Sequence, residues 1–237
     1  MQMRFGSYKS VLCVVVLVTA APLMAVQSPG TTADEDISLD LSKGATFRFT
    51  IGQKLAPYIF KAVGDPKLKT IDHIDVYREP EKEPIQTLHE CRMEEAPYRG
   101  AKWFRAEDFN FDGYQDIWML ASWGATGNES GCVWLFDSKS GKFAYSREFS
   151  ELGTYKLDPG SRTIITTSVG GMAGQVHRIT TYEVIDDRPF VVQQEDQDWD
   201  DQKCAFVRVL RKRKDGQLMV INRGWVKDET IDCKSPK

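Results

Sequence analysis

The chain has 237 residues, with 31 Lys and Arg against 34 Asp and Glu for a net charge of −3, and 41% hydrophobic residues. That length suits one medium domain with a real core or two very small ones, and the ordinary apolar-to-charged balance excludes global disorder, collagen and coiled-coil designs. The slight acidity gives no reason to expect a nucleic-acid partner, and three His are too few for most zinc and triad schemes.

Residues 1–25 carry Arg4 and Lys9 and no acid, then a short apolar run over 11–18, then small residues and Pro22. The run is too short to span a bilayer comfortably, and its flanks suit a cleaved secretory signal, with cleavage after Ala20 or Ala25. A retained anchor helix is the rival reading. Export predicts a periplasmic or secreted protein with no stable membrane insertion once the signal is removed. Cys13 leaves with the signal, so Cys91, Cys132, Cys204 and Cys233 remain. An even number in an exported chain reads as two disulfides with three possible connectivities. The pairs Cys91–Cys132 and Cys204–Cys233 close the shorter loops and are preferred. Residues 26–45 read as a flexible lead-in, rich in Ser, Pro, Gly and Thr at its start. Residues 46–237 read as a single β domain.

Apolar and polar residues alternate over 46–51, 58–63, 70–77, 103–106, 117–121, 133–136, 163–169, 178–185, 190–194, 205–210 and 218–222. These stretches are rich in β-branched and aromatic residues, as half-buried pleated surfaces prefer. Turn signals separate them at Ser140-Gly141, Pro159-Gly160-Ser161, Asp186-Asp187-Arg188-Pro189 and Asp215-Gly216. Only 149–152 offers a helical turn. The expected fold is all-β and antiparallel, a propeller-like meander of roughly a dozen strands or alternatively a β-sandwich.

The sharpest chemical signal is Asp108-Phe109-Asn110-Phe111-Asp112-Gly113-Tyr114-Gln115-Asp116. Side-chain oxygens recur at loop positions 1, 3, 5 and 9 with Gly at position 6, the pattern that surrounds a hard cation such as Ca²⁺ with oxygen; the Tyr114 carbonyl supplies the backbone ligand. Met119 occupies the position where an EF-hand carries Glu, and the flanks read as strands. Asp108, Asn110, Asp112, Tyr114 and Asp116 are therefore candidate calcium ligands with a structural role. The competing reading is an Asx-turn array in which the same side chains cap backbone N–H groups without metal.

Two other charged stretches stand out. Residues 195–201 alternate carboxylates without a turn Gly and read as a solvated acidic loop. Residues 208–214 are cationic and read as a protected strand edge at a hairpin tip, or as a docking patch for an acidic partner. No G-x-S-x-G, H-E-x-x-H or P-loop pattern occurs, so no enzyme is expected unless a carboxylate pair assembles from distant segments. His73 and His89 lie on different segments and are expected to be half-buried and hydrogen-bonded.

The acid-rich loop resembles the calcium loops of FG-GAP and related integrin-type propeller repeats, although it occurs once. A longer resemblance runs from Glu107 through Asp116, then Trp134-Leu135-Phe136-Asp137, Gly141-Lys142-Phe143 and 152–158. Over about 104–199 the chain is similar to small exported bacterial β-proteins, whose best understood members are periplasmic immunity proteins inhibiting lysozyme-like effectors of type IV secretion systems. The resemblance implies a calcium-bearing, propeller-like domain that blocks a peptidoglycan hydrolase. Its blocking loop falls after the strand 163–168, which here becomes Ser168-Val169-Gly170-Gly171-Met172-Ala173-Gly174-Gln175-Val176-His177. Family members carry a Tyr near this point, and here His177 stands closest to it.

A lysozyme cleft holds two carboxylates flanking the sugar bond, so a narrow Gly-rich protrusion bearing a hydroxyl or a cation suits it. Ser168, Gly170, Gly171, His177 and Arg178 are the candidate partner-binding residues. The alternative is that the glycines merely form a long hairpin loop. Residues 122–131 are expected to form a neighbouring rim. A calcium-stabilised structural or adhesion module without inhibitory activity is the competing functional reading.

Overall fold

The computed structural model describes residues 43–68, 70–93 and 102–227. The signal segment, most of the lead-in, Cys13 and Cys233 lie outside the described residues. The described residues fall within one unit, Asp36–Lys237.

Fourteen strands among the described residues build three antiparallel meanders in which every strand pairs with its sequence neighbour. The first sheet contains β1 (Ala45–Phe49), β2 (Tyr58–Asp65), β3 (Thr70–Arg78) and β4 (Gln86–Leu88). The second contains β5 (Phe104–Glu107), β6 (Asp116–Trp123), β7 (Glu129–Asp137) and β8 (Lys142–Ser146). A single helical turn, α1 (Arg147–Ser150), leads to the third sheet: β9 (Tyr155–Asp158), β10 (Thr163–Val169), β11 (His177–Ile185), β12 (Arg188–Asp200), β13 (Ala205–Lys214) and β14 (Gln217–Val226). The all-β antiparallel meander expected from the alternation is thus present. Short connections make it the accessible topology, because neighbouring antiparallel strands need only a tight turn. The turns at Asp186-Asp187 and Asp215-Gly216 have both central residues at positive φ (50° and 57°, 50° and 81°), the geometry of a two-residue hairpin.

Aromatic residues make the shared core. Phe47 and Phe60 of the first sheet lie 4.7 and 5.7 Å from Phe104 of the second, and Tyr58 sits edge-on to Phe136 and Phe143. Tyr155 on β9 packs 4.8 Å from Phe109 and thereby joins the third sheet to the loop leaving β5. Such pairs add about 0.5–1.5 kcal/mol each beyond the area they bury. The disulfide Cys91–Cys132 forms as expected and links the segment after β4 to β7. Cys204 is also disulfide-bonded, and its expected partner Cys233 lies outside the described residues.

Two readings of charge change. Residues 195–201 are not a solvated loop: β12 continues through Asp200, hydrogen-bonded to β11 and β13. Its acids are tolerated in a central strand because the neighbours supply cations. Asp196 bonds Arg178 on β11 and Arg211 on β13, and Glu195 lies 3.3 Å from Arg208 on β13. The cationic run 208–214 does lead to a hairpin tip, but its first members are partners of β12. No helix among the described residues is long and apolar enough to cross a membrane.

Candidate functional site

Residues 108–115 connect β5 to β6, whose last pair is Glu107 opposite Asp116. Alternation divides the loop's labour. Phe109 and Phe111 are buried, whereas the polar side chains of Asp108, Asn110 and Asp112 turn back on the loop's own backbone. Asp108 accepts from the N–H groups of Asp112 (3.1 Å) and Gly113 (3.0 Å). Asp112 accepts from Tyr114 N–H at 2.8 Å, and Asn110 Oδ1 accepts from Asp112 N–H at 3.3 Å. Gly113 has φ 93°, a conformation that side chains with a Cβ resist. The Tyr114 ring packs 5.5 Å from Phe136.

Asp116 is fully buried. Its two oxygens accept from the N–H groups of Phe109 and Phe136, both at 2.8 Å, which ties the loop to β7. Burial pushes its carboxyl up to about 8; the two N–H donors pull the other way, and the charges of Asp112 and Asp108 add to the rise. Asp108 is also raised, chiefly by burial. The side-chain amide of Asn110 donates to Asp112 (3.2 Å) and to Asp187 (2.9 Å). Asp187, in the β11–β12 turn, is a fourth acid that the contiguous motif could not reveal.

Among the described residues no group of three or more His, Cys, Asp or Glu side chains stands ready to hold a metal. The hydrogen bonds observed are those of an Asx-turn array. They are also compatible with oxygen ligation, because each carboxylate oxygen has two lone pairs and uses one for an N–H. The donor set is all oxygen, as a hard cation requires.

The second constellation is the β10–β11 hairpin end. Ser168 pairs with Arg178 and Val169 with His177, so alternation sends Ser168 and Arg178 to one face and His177 to the other. Arg178 is bonded to Asp196 (2.5 Å), and His177 Nδ1 bonds the Gln175 carbonyl (3.1 Å). The loop between them closes on itself: Gly170 N–H donates to the Val176 carbonyl at 2.7 Å, and Val176 N–H to the Gly171 carbonyl at 3.3 Å. A Cβ at Gly170 would lie 2.9 Å from Val176 Cγ1, so this close return needs glycine. Met172, Ala173 and Gly174 have φ of 54°, 52° and 86°, and Met172 is exposed. Left-handed backbone at two successive residues other than Gly costs about 1 kcal/mol or more each and persists only where the surroundings impose it.

Those surroundings are visible. Asn128, in the β6–β7 loop, donates to the Val169 carbonyl and accepts from Val169 N–H, both at 2.8 Å, acting as a one-residue strand partner. The buried Gln197 donates to the Gln175 carbonyl at 2.8 Å and accepts from Arg208. The expected rim of 122–131 therefore does adjoin the candidate loop. Asn128 and Gln197 were not singled out from sequence as bracing residues; only the Gly-rich composition around Asn128 pointed there.

No family model matches this chain, and no curated protein matches it. Among solved structures, one described as a Xanthomonas type IV secretion system related protein matches with a TM-score of 0.56 at 16% identity. The match covers 79% of this chain and 98% of that one. At that identity the likeness is one of fold.

Proposed function

We propose that this is a periplasmic immunity or inhibitor protein that binds a lysozyme-like peptidoglycan hydrolase through its β10–β11 loop, with the β5–β6 corner held by Ca²⁺. The observation that carries the reading is the bracing of that loop. An exposed tip with successive left-handed residues is held from one side by Asn128 and from the other by Gln197. A loop ordered before binding loses less entropy on entering a cleft, which is how inhibitory loops gain affinity. The fold shared with a type IV secretion related protein, the Cys91–Cys132 disulfide and the sequence resemblance support the same assignment.

In this reading Asp108, Asn110, Asp112, Asp116 and the Tyr114 carbonyl hold the ion. When bound, Ca²⁺ supplies positive charge that offsets the crowded carboxylates. The support lies in Asp116, whose buried oxygens each already receive an N–H, an arrangement that favours the charged form in a place where burial opposes it. Ser168 and the loop backbone offer hydrogen-bonding groups to the acids of a hydrolase cleft; Arg178, already bonded to Asp196, offers its remaining N–H groups.

The purified protein titrated against lysozyme-like hydrolases, including any encoded beside its own gene, provides the test. Inhibition is expected, weakened at least about tenfold by Asn128→Ala, which loosens the loop without touching its tip. Absence of binding to every hydrolase, with a calcium-dependent melting temperature, leaves the structural module as the surviving reading.

A further inference from the structure

We propose that His73, His89 and Asp75 form a binding site for one divalent transition-metal ion of the zinc type on the outer face of the first sheet, separate from the oxygen-lined loop. The register brings them together. Ile74 pairs with Leu88 and Asp75 with Thr87, so the next position outward sets His73 beside His89. Ile74, Val76 and Leu88 fill the inner face, leaving His73, Asp75, Thr87 and His89 together on the other. The two imidazole centroids lie 5.4 Å apart. Two imidazoles sharing a tetrahedral Zn²⁺ with bonds of about 2.0–2.1 Å have centroids about 5 Å apart.

The protonation pattern points the same way. His73 Nδ1 lies 3.0 Å from Asp72 Oδ2. A carboxylate only accepts, so this contact places a proton on Nδ1; in the neutral ring Nε2 is then the nitrogen with a lone pair to offer a metal. Nε2 faces Asp75 Oδ2 across 3.9 Å, too far for a hydrogen bond. In the neutral ring two acceptors face each other there, and a metal ion between them would satisfy both. A tetrahedral ion needs the N and O about 3.3 Å apart, an adjustment within side-chain reach. As they stand, no three ligating side chains among the described residues are arranged to hold a metal, so the site requires Asp75 and His89 to turn in on the ion.

An outer shell is in place. Asp72 Oδ1 accepts from Arg92 at 2.8 Å, and Asp75 Oδ1 accepts from Thr87 Oγ1 at 2.8 Å. Metal-bound histidines commonly donate their second N–H to a carboxylate, and such partners affect affinity by about 10–100-fold. His73 and Asp75 side chains are 24% and 23% exposed, leaving a route in and room for water as fourth ligand. Two imidazoles and one carboxylate select Zn²⁺, Ni²⁺ or Cu²⁺ over Ca²⁺.

Untagged full-length protein titrated with Co²⁺, followed by its visible ligand-field absorption, tests this directly. One equivalent is expected to bind and to be displaced by one equivalent of Zn²⁺ but not by Ca²⁺. His89→Ala and Asp75→Asn should each weaken binding at least tenfold, while His177→Ala leaves it unchanged. Thr87→Val, which only positions Asp75, should lower affinity without altering stoichiometry. Equal melting temperatures of all variants in chelator exclude unfolding as the cause. No absorption change, or binding indifferent to His89→Ala, overturns the site.

Discussion

Asp116 concentrates the electrostatics of the β5–β6 corner in one carboxyl group. It is fully buried, and burial raises its pKa to about 8. An unfolded Asp titrates near 3.9, so between about pH 4 and 8 the folded state holds a proton that the unfolded state has lost. Stability from this group is fully present below the unfolded value and is lost as pH rises through 8, at up to about 1.4 kcal/mol per pH unit. In chelator, the melting temperature should fall between about pH 5 and pH 8. If, as proposed, Asp108, Asp112 and Asp116 hold a cation, it replaces that proton, so the gain from Ca²⁺ should be large near pH 8 and small near pH 5. Asp112→Ala should abolish the calcium increment. Scanning calorimetry at three pH values with Ca²⁺ and with chelator checks this, and a calcium increment that ignores pH contradicts it.

At the scale of elements, β12 shows what sequence could and could not disclose. Strands β10 and β11 were legible because their alternation is long and bounded by Pro159-Gly160 and Asp186-Asp187. Strand β4 was missed because Gln86–Leu88 offers too few residues for a period to register, and β8 and β9 were missed although they are no shorter than β5, which alternation did reveal. The acidic half of β12 read as loop because the Arg residues that neutralise it belong to other strands. Long-range pairing also hid Asp187 beside Asn110 and the meeting of His73 with His89, whereas Asp108 to Asp116 was legible by being contiguous. A prediction follows for Asp196, which joins Arg178 on β11 to Arg211 on β13. Burial alone raises its carboxyl, but the bonds from Arg178 and Gln194 and the two Arg charges outweigh it and hold the group below its ordinary range. The stabilisation is therefore present above about pH 4 and lost as pH falls through the folded value. Asp196→Ala should cost about 1–2 kcal/mol at neutral pH, discounted for the exposure of Arg178. Urea unfolding should show the gap to wild type narrowing near pH 3; a constant gap assigns the loss to packing instead.

For the molecule as a whole, stability depends on holding three meanders around one aromatic core. Most of that core comes from the first two sheets and the β5–β6 loop, while the third contributes Ile164 and partly buried side chains such as Tyr155 and Tyr182. The Cys91–Cys132 disulfide ties the segment after the first sheet to β7, and both residues are buried. Nearby, the Trp134 indole N–H donates to Glu90 at 2.9 Å across the same junction. The bridge spans 41 residues of sequence. A closure of that length removes about 4 kcal/mol of unfolded-state freedom in the chain-entropy account. The double variant Cys91→Ala/Cys132→Ala isolates this bridge, whereas a reducing agent also opens the one at Cys204. Guanidinium unfolding of the double variant should show a loss of about 2–4 kcal/mol. The dependence on denaturant should steepen at the same time, because an uncrosslinked unfolded chain exposes more surface. A loss without the steeper slope locates the effect in folded-state packing between the sheets, and an unchanged midpoint removes the bridge from the forces that hold the sheets together.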